Sequence, residues 1–273
     1  MNRIDTTLAA LKSANKTALI PYITAGDPHP GMTVSLMHGL VECGADMLEL
    51  GVPFSDPMAD GPVIQKAVER ALVHEVNLRQ ILAMVAEFRK TDLQTPIILM
   101  GYLNPIEAMG GDEFAKSAEQ AGVDAVLTVD MPPEESEGYF AQLQSSDLHR
   151  IFLVSPTTPD SRLTAVTEKG SGFVYYVSLK GVTGSNQIDV ADVAQHVAHL
   201  KQKVAMPVAI GFGIRDGETA YQMAQLADAV IVGSALVSII EKHAKSQLSD
   251  IQGHLNDKMR EFREAIDRAD AEA

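Results

Sequence analysis

Short apolar runs alternate with longer amphipathic stretches along almost the whole chain. The runs are rich in valine, isoleucine and leucine, which is typical of strands buried on both faces of a parallel sheet. They occupy residues 18–24, 46–50, 96–102, 125–129, 150–155, 173–178, 207–211 and 228–232. Apolar residues recur at helical spacing between them, over 31–43, 78–90, 112–121, 134–144, 161–168, 190–203 and 216–226. The pattern therefore predicts eight strands, each followed by helical structure.

Eight strands that alternate with helices predict a (β/α)8 TIM barrel, a fold that typically needs about 250 residues. A doubly wound open sheet shows the same alternation and is the alternative. Leu8 and Leu11 lie at helical spacing before the first strand, which predicts an extra N-terminal helix at the bottom of the barrel. The tail from Gln252 carries an apolar stripe and predicts a helix packed on the barrel. No low-complexity linker interrupts the chain, so residues 1–273 are expected to form one barrel domain.

Composition narrows the possible functions. The chain has 36 acidic and 22 basic residues, a formal charge of −14, which disfavours binding to nucleic acid or to anionic lipid. Cys43 is the only cysteine, so an internal disulfide is impossible and a reducing compartment is expected. The first residues lack a signal-peptide core, and the longest apolar run is too short to cross a bilayer. These features predict a cytoplasmic protein.

Glu49 is a carboxylate inside an apolar strand, between Leu48 and Leu50. Burying a carboxylate is costly unless the group is paired or its pKa rises, and folds retain such groups where protons are transferred. A structural ion pair would be the alternative role. Asp60 lies in the loop that follows this strand and could complete an acid–base pair, although an Asp-Gly-Pro turn also explains it.

Glycine-rich segments follow the last three predicted strands, at residues 181–184, 211–213 and 233–234. Barrels commonly bind phosphate there, because glycine exposes backbone N–H groups and a helix N-terminus favours negative charge. Each segment alone is also explained by the steric needs of a turn. Segment 211–216 lacks the third glycine of a dinucleotide site, and the scattered histidines predict no metal centre.

The most distinctive segment, residues 49–62, reads Glu-Leu-Gly-Val-Pro-Phe-Ser-Asp-Pro-Met-Ala-Asp-Gly-Pro and resembles the signature of the tryptophan synthase alpha chain family. Segments 21–28, 181–184 and 211–214 are also similar to that family, in the same order. The resemblance covers essentially the whole chain. It implies a barrel lyase of tryptophan biosynthesis that cleaves indole-3-glycerol phosphate, by a retro-aldol reaction, to indole and glyceraldehyde 3-phosphate.

The resemblance also implies roles for individual residues. The catalytic pair falls on Glu49 and Asp60. Substrate-binding positions fall on Tyr22, Tyr175, Thr183, Gly184, Phe212, Gly213, Gly233 and Ser234. A face for the beta chain, in an expected alpha2beta2 heterotetramer, falls on Pro53, Asp56, Asn104 and Pro132. Pyridoxal phosphate is expected only in the beta chain, and no cofactor in this one.

Two positions depart from the family pattern, and three other functions remain open. Tyr22 stands where phenylalanine is frequent, and Leu179-Lys180 stands where some members carry arginine at the first position. Lys180 could serve a Schiff-base aldolase. A sugar-phosphate isomerase would be another phosphate-binding barrel. A subunit that binds a phosphate ligand and activates a partner without its own turnover would be a non-enzymatic alternative.

Overall fold

The computed structural model describes residues 2–138, 143, 146–177, 189–211 and 213–272. Eight parallel strands form a closed barrel in sequence order, and β1 pairs with β8 to close the ring. The strands are β1 Ala18–Thr24, β2 Leu48–Gly51, β3 Ile97–Gly101, β4 Ala125–Thr128, β5 His149–Val154, β6 Val174–Val177, β7 Val208–Gly211 and β8 Ala229–Val232. The barrel is confirmed, and the open doubly wound sheet is excluded.

The helices surround this barrel. They are α1 Arg3–Ser13, α2 Thr33–Glu42, α3 Pro62–Leu72, α4 Leu78–Phe88, α5 Leu103–Met109, α6 Gly111–Ala121, α7 Asp160–Lys169, α8 Val190–Lys203, α9 Gly217–Ala224, α10 Ser234–Lys242 and α11 Leu248–Glu272. Most match the predicted stretches, but the prediction over 134–144 lies partly outside the described residues. Within the described ranges, no helix has both the length and the apolar character needed to cross a membrane.

Strand alternation divides the core into two regions. One set of side chains fills the barrel interior, for example Met47, Ile98 and Phe173, and the alternate set packs outward against the helices. Ile4 and Leu8 of α1 belong to the interior cluster and are buried. The predicted N-terminal helix is therefore confirmed, and it closes one end of the barrel.

The C-terminal helix α11 packs along the outside of the barrel. Its buried apolar stripe is formed by Ile251, Leu255, Met259, Phe262, Ile266 and Ala269. Burial of a large apolar side chain stabilises the fold by about 1.5–3 kcal/mol. Asp270 accepts a hydrogen bond from the Thr17 hydroxyl at 2.7 Å, and Arg263 pairs with Asp46 at 3.0 Å. The end of the chain is thus tied to the segments that begin β1 and β2.

Helices α3, α5 and α10 were not among the predicted stretches. Helix α3 begins with Pro62 in its first turn, after Gly61 in an extended conformation. Proline suits this position because the first helical N–H groups need no partner within the helix. Two helices, α3 and α4, therefore lie between β2 and β3, where the alternating pattern predicted one.

Candidate active site

Glu49 lies on the inner face of β2, beside Tyr22 of β1 and Ile98 of β3 in the strand registers. Only 1% of it is exposed, and its Oε1 atom has no hydrogen-bond partner among the described residues. Burial raises the pKa of Glu49 to about 8. A buried carboxyl group with an unpaired oxygen costs folding free energy, so its retention points to a chemical use.

Asp60 approaches the site from the loop between β2 and α3. The Tyr102 hydroxyl accepts a hydrogen bond from the Ala59 N–H at 2.9 Å and donates one to the Asp60 carboxylate. Burial raises the pKa of Asp60 to about 6, although the Tyr102 hydrogen bond opposes this shift. Gln65 of α3 donates to the Asp60 carbonyl at 2.8 Å, which holds the backbone as well.

Two buried tyrosines lie near these carboxyl groups. Burial raises the pKa of Tyr22, and the charges of Asp60 and Glu49 raise it further, so its phenol lies within electrostatic range of both. Burial also raises the pKa of Tyr175, with a contribution from Glu49. Tyr175 belongs to the interior cluster, whereas Tyr176 packs outward. Aromatic rings therefore flank Glu49 on the inner side of β1 and β6.

Gly51 leaves room for the ring of Tyr22. A Cβ atom at Gly51 would lie 2.1 Å from the Tyr22 hydroxyl oxygen and 2.6 Å from Cζ. The variant Gly51→Ala is therefore expected to displace Tyr22 and to destabilise the fold by about 2 kcal/mol, as overpacking does. Urea unfolding measures the change, and Gly253→Ala is the control because no described residue lies within 4 Å of a Cβ there. Equal stability of Gly51→Ala and the parent chain would contradict this packing.

The N-terminus of α10 provides a place for an anion. Gly233 is the N-cap of this helix, and among the described residues no side-chain hydrogen bond caps it. A Cβ at Gly233 would lie 3.6 Å from Cβ of Tyr22. The start of α10 therefore lies next to Tyr22, the tyrosine within electrostatic range of Glu49 and Asp60. Gly213, after β7, has a φ of +78°, which favours glycine. The other expected positions of this kind, Thr183, Gly184 and Phe212, lie outside the described residues, as does Lys180.

The residues expected to face a partner follow β2, β3 and β4 at the same end of the barrel. Asp56 and Asn104 are exposed, Pro132 is partly exposed, and Pro53 is buried within the chain. Met58, in the loop of Asp56, is a large apolar residue that is 80% exposed. The Leu103 N–H donates to Asp130 at 2.9 Å and so connects the segments that follow β3 and β4.

The raised pKa of Glu49 predicts a stability effect that depends on pH. The folded chain keeps this proton up to a pH of about 8, whereas an unfolded glutamate loses it near about 4.3. Folding stability therefore falls as pH rises between these values. Glu49→Gln removes the penalty, so its gain in unfolding free energy should grow from about 1 kcal/mol at pH 5 to about 3.5 kcal/mol at pH 7. Urea titrations at both pH values measure it, and a gain independent of pH would contradict the raised pKa.

Tyr102 is a site residue that the sequence patterns did not single out. It ends the apolar run that became β3, and its side chain is 3% exposed. The available signal was a polar-tipped aromatic residue at the carboxyl end of a barrel strand, where barrel enzymes place their active sites. In the part of the chain that the structure describes, no cluster of three or more His, Cys, Asp or Glu could hold a metal ion.

The fold and this site define a class of protein. Two carboxyl groups whose pKa values are raised to different extents lie at the mouth of a closed parallel barrel, next to a helix N-terminus suited to an anion. This arrangement is typical of (β/α)8-barrel enzymes that move protons on a phosphorylated substrate.

Comparison with known proteins identifies the family. A sequence profile described as tryptophan synthase alpha chain matches residues 8–267, and the chain belongs to this family. The tryptophan synthase alpha chain of Hydrogenovibrio crunogenus is 76% identical over 272 residues and is covered over its full length, as is this chain. The resemblance inferred from the motifs is therefore confirmed.

Solved structures agree. The tryptophan synthase alpha subunit of Legionella pneumophila superposes with a TM-score of 0.92 at 48% identity, over 98% of this chain and 99% of that one. A chain of aminoacrylate-bound tryptophan synthase from Mycobacterium tuberculosis superposes with a TM-score of 0.85 at 34% identity, over 97% and 98%. Structures of tryptophan synthase therefore contain a chain with this fold.

Proposed function

We propose that Glu49 and Asp60 cleave indole-3-glycerol phosphate to indole and glyceraldehyde 3-phosphate in this chain. The reaction follows from the family, and the chain is a lyase of tryptophan biosynthesis. The observation that carries the proposed roles is Glu49 itself, buried at the barrel mouth with an unpaired oxygen and a raised pKa. An acid placed in this way is protonated at neutral pH and can donate.

The proton transfers balance within the site. A proton added at ring carbon three of the indole gives an indoleninium cation, whose positive nitrogen accepts the electrons of the carbon–carbon bond that breaks. The adjacent side-chain hydroxyl loses its proton and becomes the aldehyde. The indole thus serves as its own electron sink, a task that a Schiff-base lysine or a metal performs in other retro-aldol enzymes.

The two carboxyl groups divide these tasks according to their pKa values. Glu49, with a pKa of about 8, supplies the proton to carbon three and accepts the hydroxyl proton. Asp60, with a pKa of about 6, is ionised at neutral pH and accepts a hydrogen bond from the ring N–H, which stabilises the positive nitrogen. The uncapped N-terminus of α10, with Gly233 and Ser234, receives the phosphate.

The family also determines the cofactor requirement and suggests the assembly. Pyridoxal phosphate belongs to the beta chain, and this chain carries no cofactor in the family. We infer an alpha2beta2 heterotetramer in which the beta chain covers the end of the barrel bearing Asp56, Asn104 and Pro132. The exposed Met58 beside Asp56 supports this face, because a partner would bury it.

The direct test is an assay of the purified chain with indole-3-glycerol phosphate, in which indole is followed with and without a beta chain. Slow release by the chain alone, accelerated by the beta chain, is the expected result. Absence of indole in both conditions would refute the proposal and favour a binding subunit. Borohydride treatment with substrate tests the aldolase alternative, for which a stable adduct on Lys180 would be required.

A further inference from the structure

Helix α3 is an addition to the strand–helix alternation and covers part of the barrel mouth. It begins two residues after Asp60 and packs against β1 and α10. Ala67 is fully buried in its inner face and belongs to one apolar cluster with Tyr22 and Val237. The placement of α3 therefore bears directly on where Asp60 stands.

A partly exposed arginine, Arg70, pairs with a buried carboxylate at the far end of this helix. Asp27, in the segment that follows β1, is 1% exposed. Arg70 of α3 donates to it from Nε to Oδ1 at 2.7 Å and from Nη2 to Oδ2 at 2.9 Å. Two parallel charge-assisted hydrogen bonds of this kind are strong and directional. A buried carboxylate depends on such a partner, because removal of one member leaves an uncompensated charge.

The same arginine reaches a third element. Nη1 of Arg70 lies 3.9 Å from Oε1 of Glu241, and Nζ of Lys66 lies 3.2 Å from the same oxygen. Glu241 belongs to α10, the helix whose N-terminus is offered to the phosphate. We call Asp27, Arg70 and Glu241 the clamp, since they connect the segment after β1, helix α3 and helix α10.

The backbone next to Asp27 packs closely against the end of α3. Gly26 has a φ of +87°, and a Cβ there would lie 2.6 Å from Cγ2 of Val76 and 3.4 Å from Cβ of Ala71. The segment after β1 therefore touches the end of α3 and the turn beyond it. A helix held at this end, with Asp60 just before its other end, transmits its placement to the Asp60 loop.

We propose that Arg70 is a positioning residue of the lyase reaction. Through the clamp it holds α3 against the barrel mouth, and so fixes the Asp60 carboxylate relative to Glu49 and to the phosphate end of the substrate. Arg70 does not touch the reacting atoms. The inference rests on the proposed role of Asp60 in cleavage. Phosphate binding should depend little on Arg70, because Leu236 and Ile240 of α10 are fully buried in the main core, apart from the cluster that contains Ala67 of α3.

The test compares Arg70→Met and Arg70→Lys with the parent chain. Arg70→Met should lower kcat for indole release about 10- to 100-fold, since a misplacement of about 1 Å can cost that much. Its Kd for glycerol 3-phosphate should stay within about twofold, and Arg70→Lys should recover part of the lost kcat. Hydrogen–deuterium exchange of the backbone amides of α3 should be faster in Arg70→Met than in the parent chain. Arg79→Met is the matched control, because Arg79 makes a 3.4 Å pair with Glu113 on the exposed surface.

Three results would overturn the inference. They are an unchanged kcat in Arg70→Met, a parallel loss of kcat and glycerol 3-phosphate affinity, and unchanged exchange of α3. If Arg70→Met does not fold, the double variant Asp27→Asn with Arg70→Met removes both charges, and a normal kcat there would equally refute the role. A parent chain that releases no indole would instead refute the proposed function, and amide exchange would still test the clamp.

Discussion

Glu49→Gln should fold normally and release indole about 10²- to 10⁴-fold more slowly than the parent chain, the range that a general acid–base group contributes. Glutamine has the shape of a protonated glutamic acid but cannot donate and accept a proton in turn. Because Glu49 is buried and neutral below a pH of about 8, the substitution removes no ion pair from the fold. The loss should therefore appear in kcat, with substrate affinity nearly unchanged.

Single-turnover assays with saturating indole-3-glycerol phosphate measure this effect without interference from product release. Glu107→Gln, at an exposed position of α5, is the control and should retain the parent rate. A Glu49→Gln protein that folds and cleaves substrate at the parent rate would contradict the assignment of Glu49 as the proton donor.

Asp60→Asn should lower kcat by about 10²- to 10³-fold, because a neutral amide cannot balance the positive charge that develops on the ring nitrogen. The amide oxygen can still accept the Tyr102 hydrogen bond, so the loop should keep its place and the loss should report the missing charge. The pH profile gives a second readout. The parent rate should fall below a pH of about 6, as Asp60 becomes protonated, and this acidic limb should vanish in Asp60→Asn.

Indole release across pH 5–9 checks both parts of this expectation. Asp257→Asn, on the exposed side of α11, serves as the control because its carboxylate forms an exposed ion pair with Arg260 at 2.8 Å. Retention of the acidic limb in Asp60→Asn would mean that another group titrates there, and an unaltered kcat would remove Asp60 from the chemistry.

The strands were predictable from the sequence because parallel barrel strands are buried on both faces and read as continuous apolar runs. The run at 18–24 coincides with β1, and that at 228–232 differs from β8 by one residue. Helix α3, Pro62–Leu72, was not predicted because it begins at the last residue of the motif segment 49–62, where Asp60-Gly61-Pro62 was interpreted as a turn. Proline in the first turn of a helix gives the same local signal as proline in a loop.

Glu49 was predictable as a candidate because a charge among leucines violates the pattern of its own strand. Strand alternation groups Glu49 with Met47 on one face of β2, and the structure shows that this face points into the barrel interior. The residues that position Asp60 were not predictable from the sequence. Tyr102 is 42 residues from Asp60 along the chain, and Arg70, which is proposed to act through Asp27, is 43 residues from Asp27. Contacts between remote segments depend on how the helices pack against the barrel, and the spacing of residues in the sequence does not show this packing.

The seam between β1 and β8 has a consequence for the newborn protein. Tyr22 belongs to the first strand to leave the ribosome, whereas Gly233, its neighbour at the barrel mouth, emerges more than two hundred residues later. Chains are synthesised at about 5–20 residues per second, and contacts between distant segments form slowly. Nascent chains therefore expose an unclosed sheet for most of their synthesis, and the catalytic mouth takes shape only once nearly the whole polypeptide has been made.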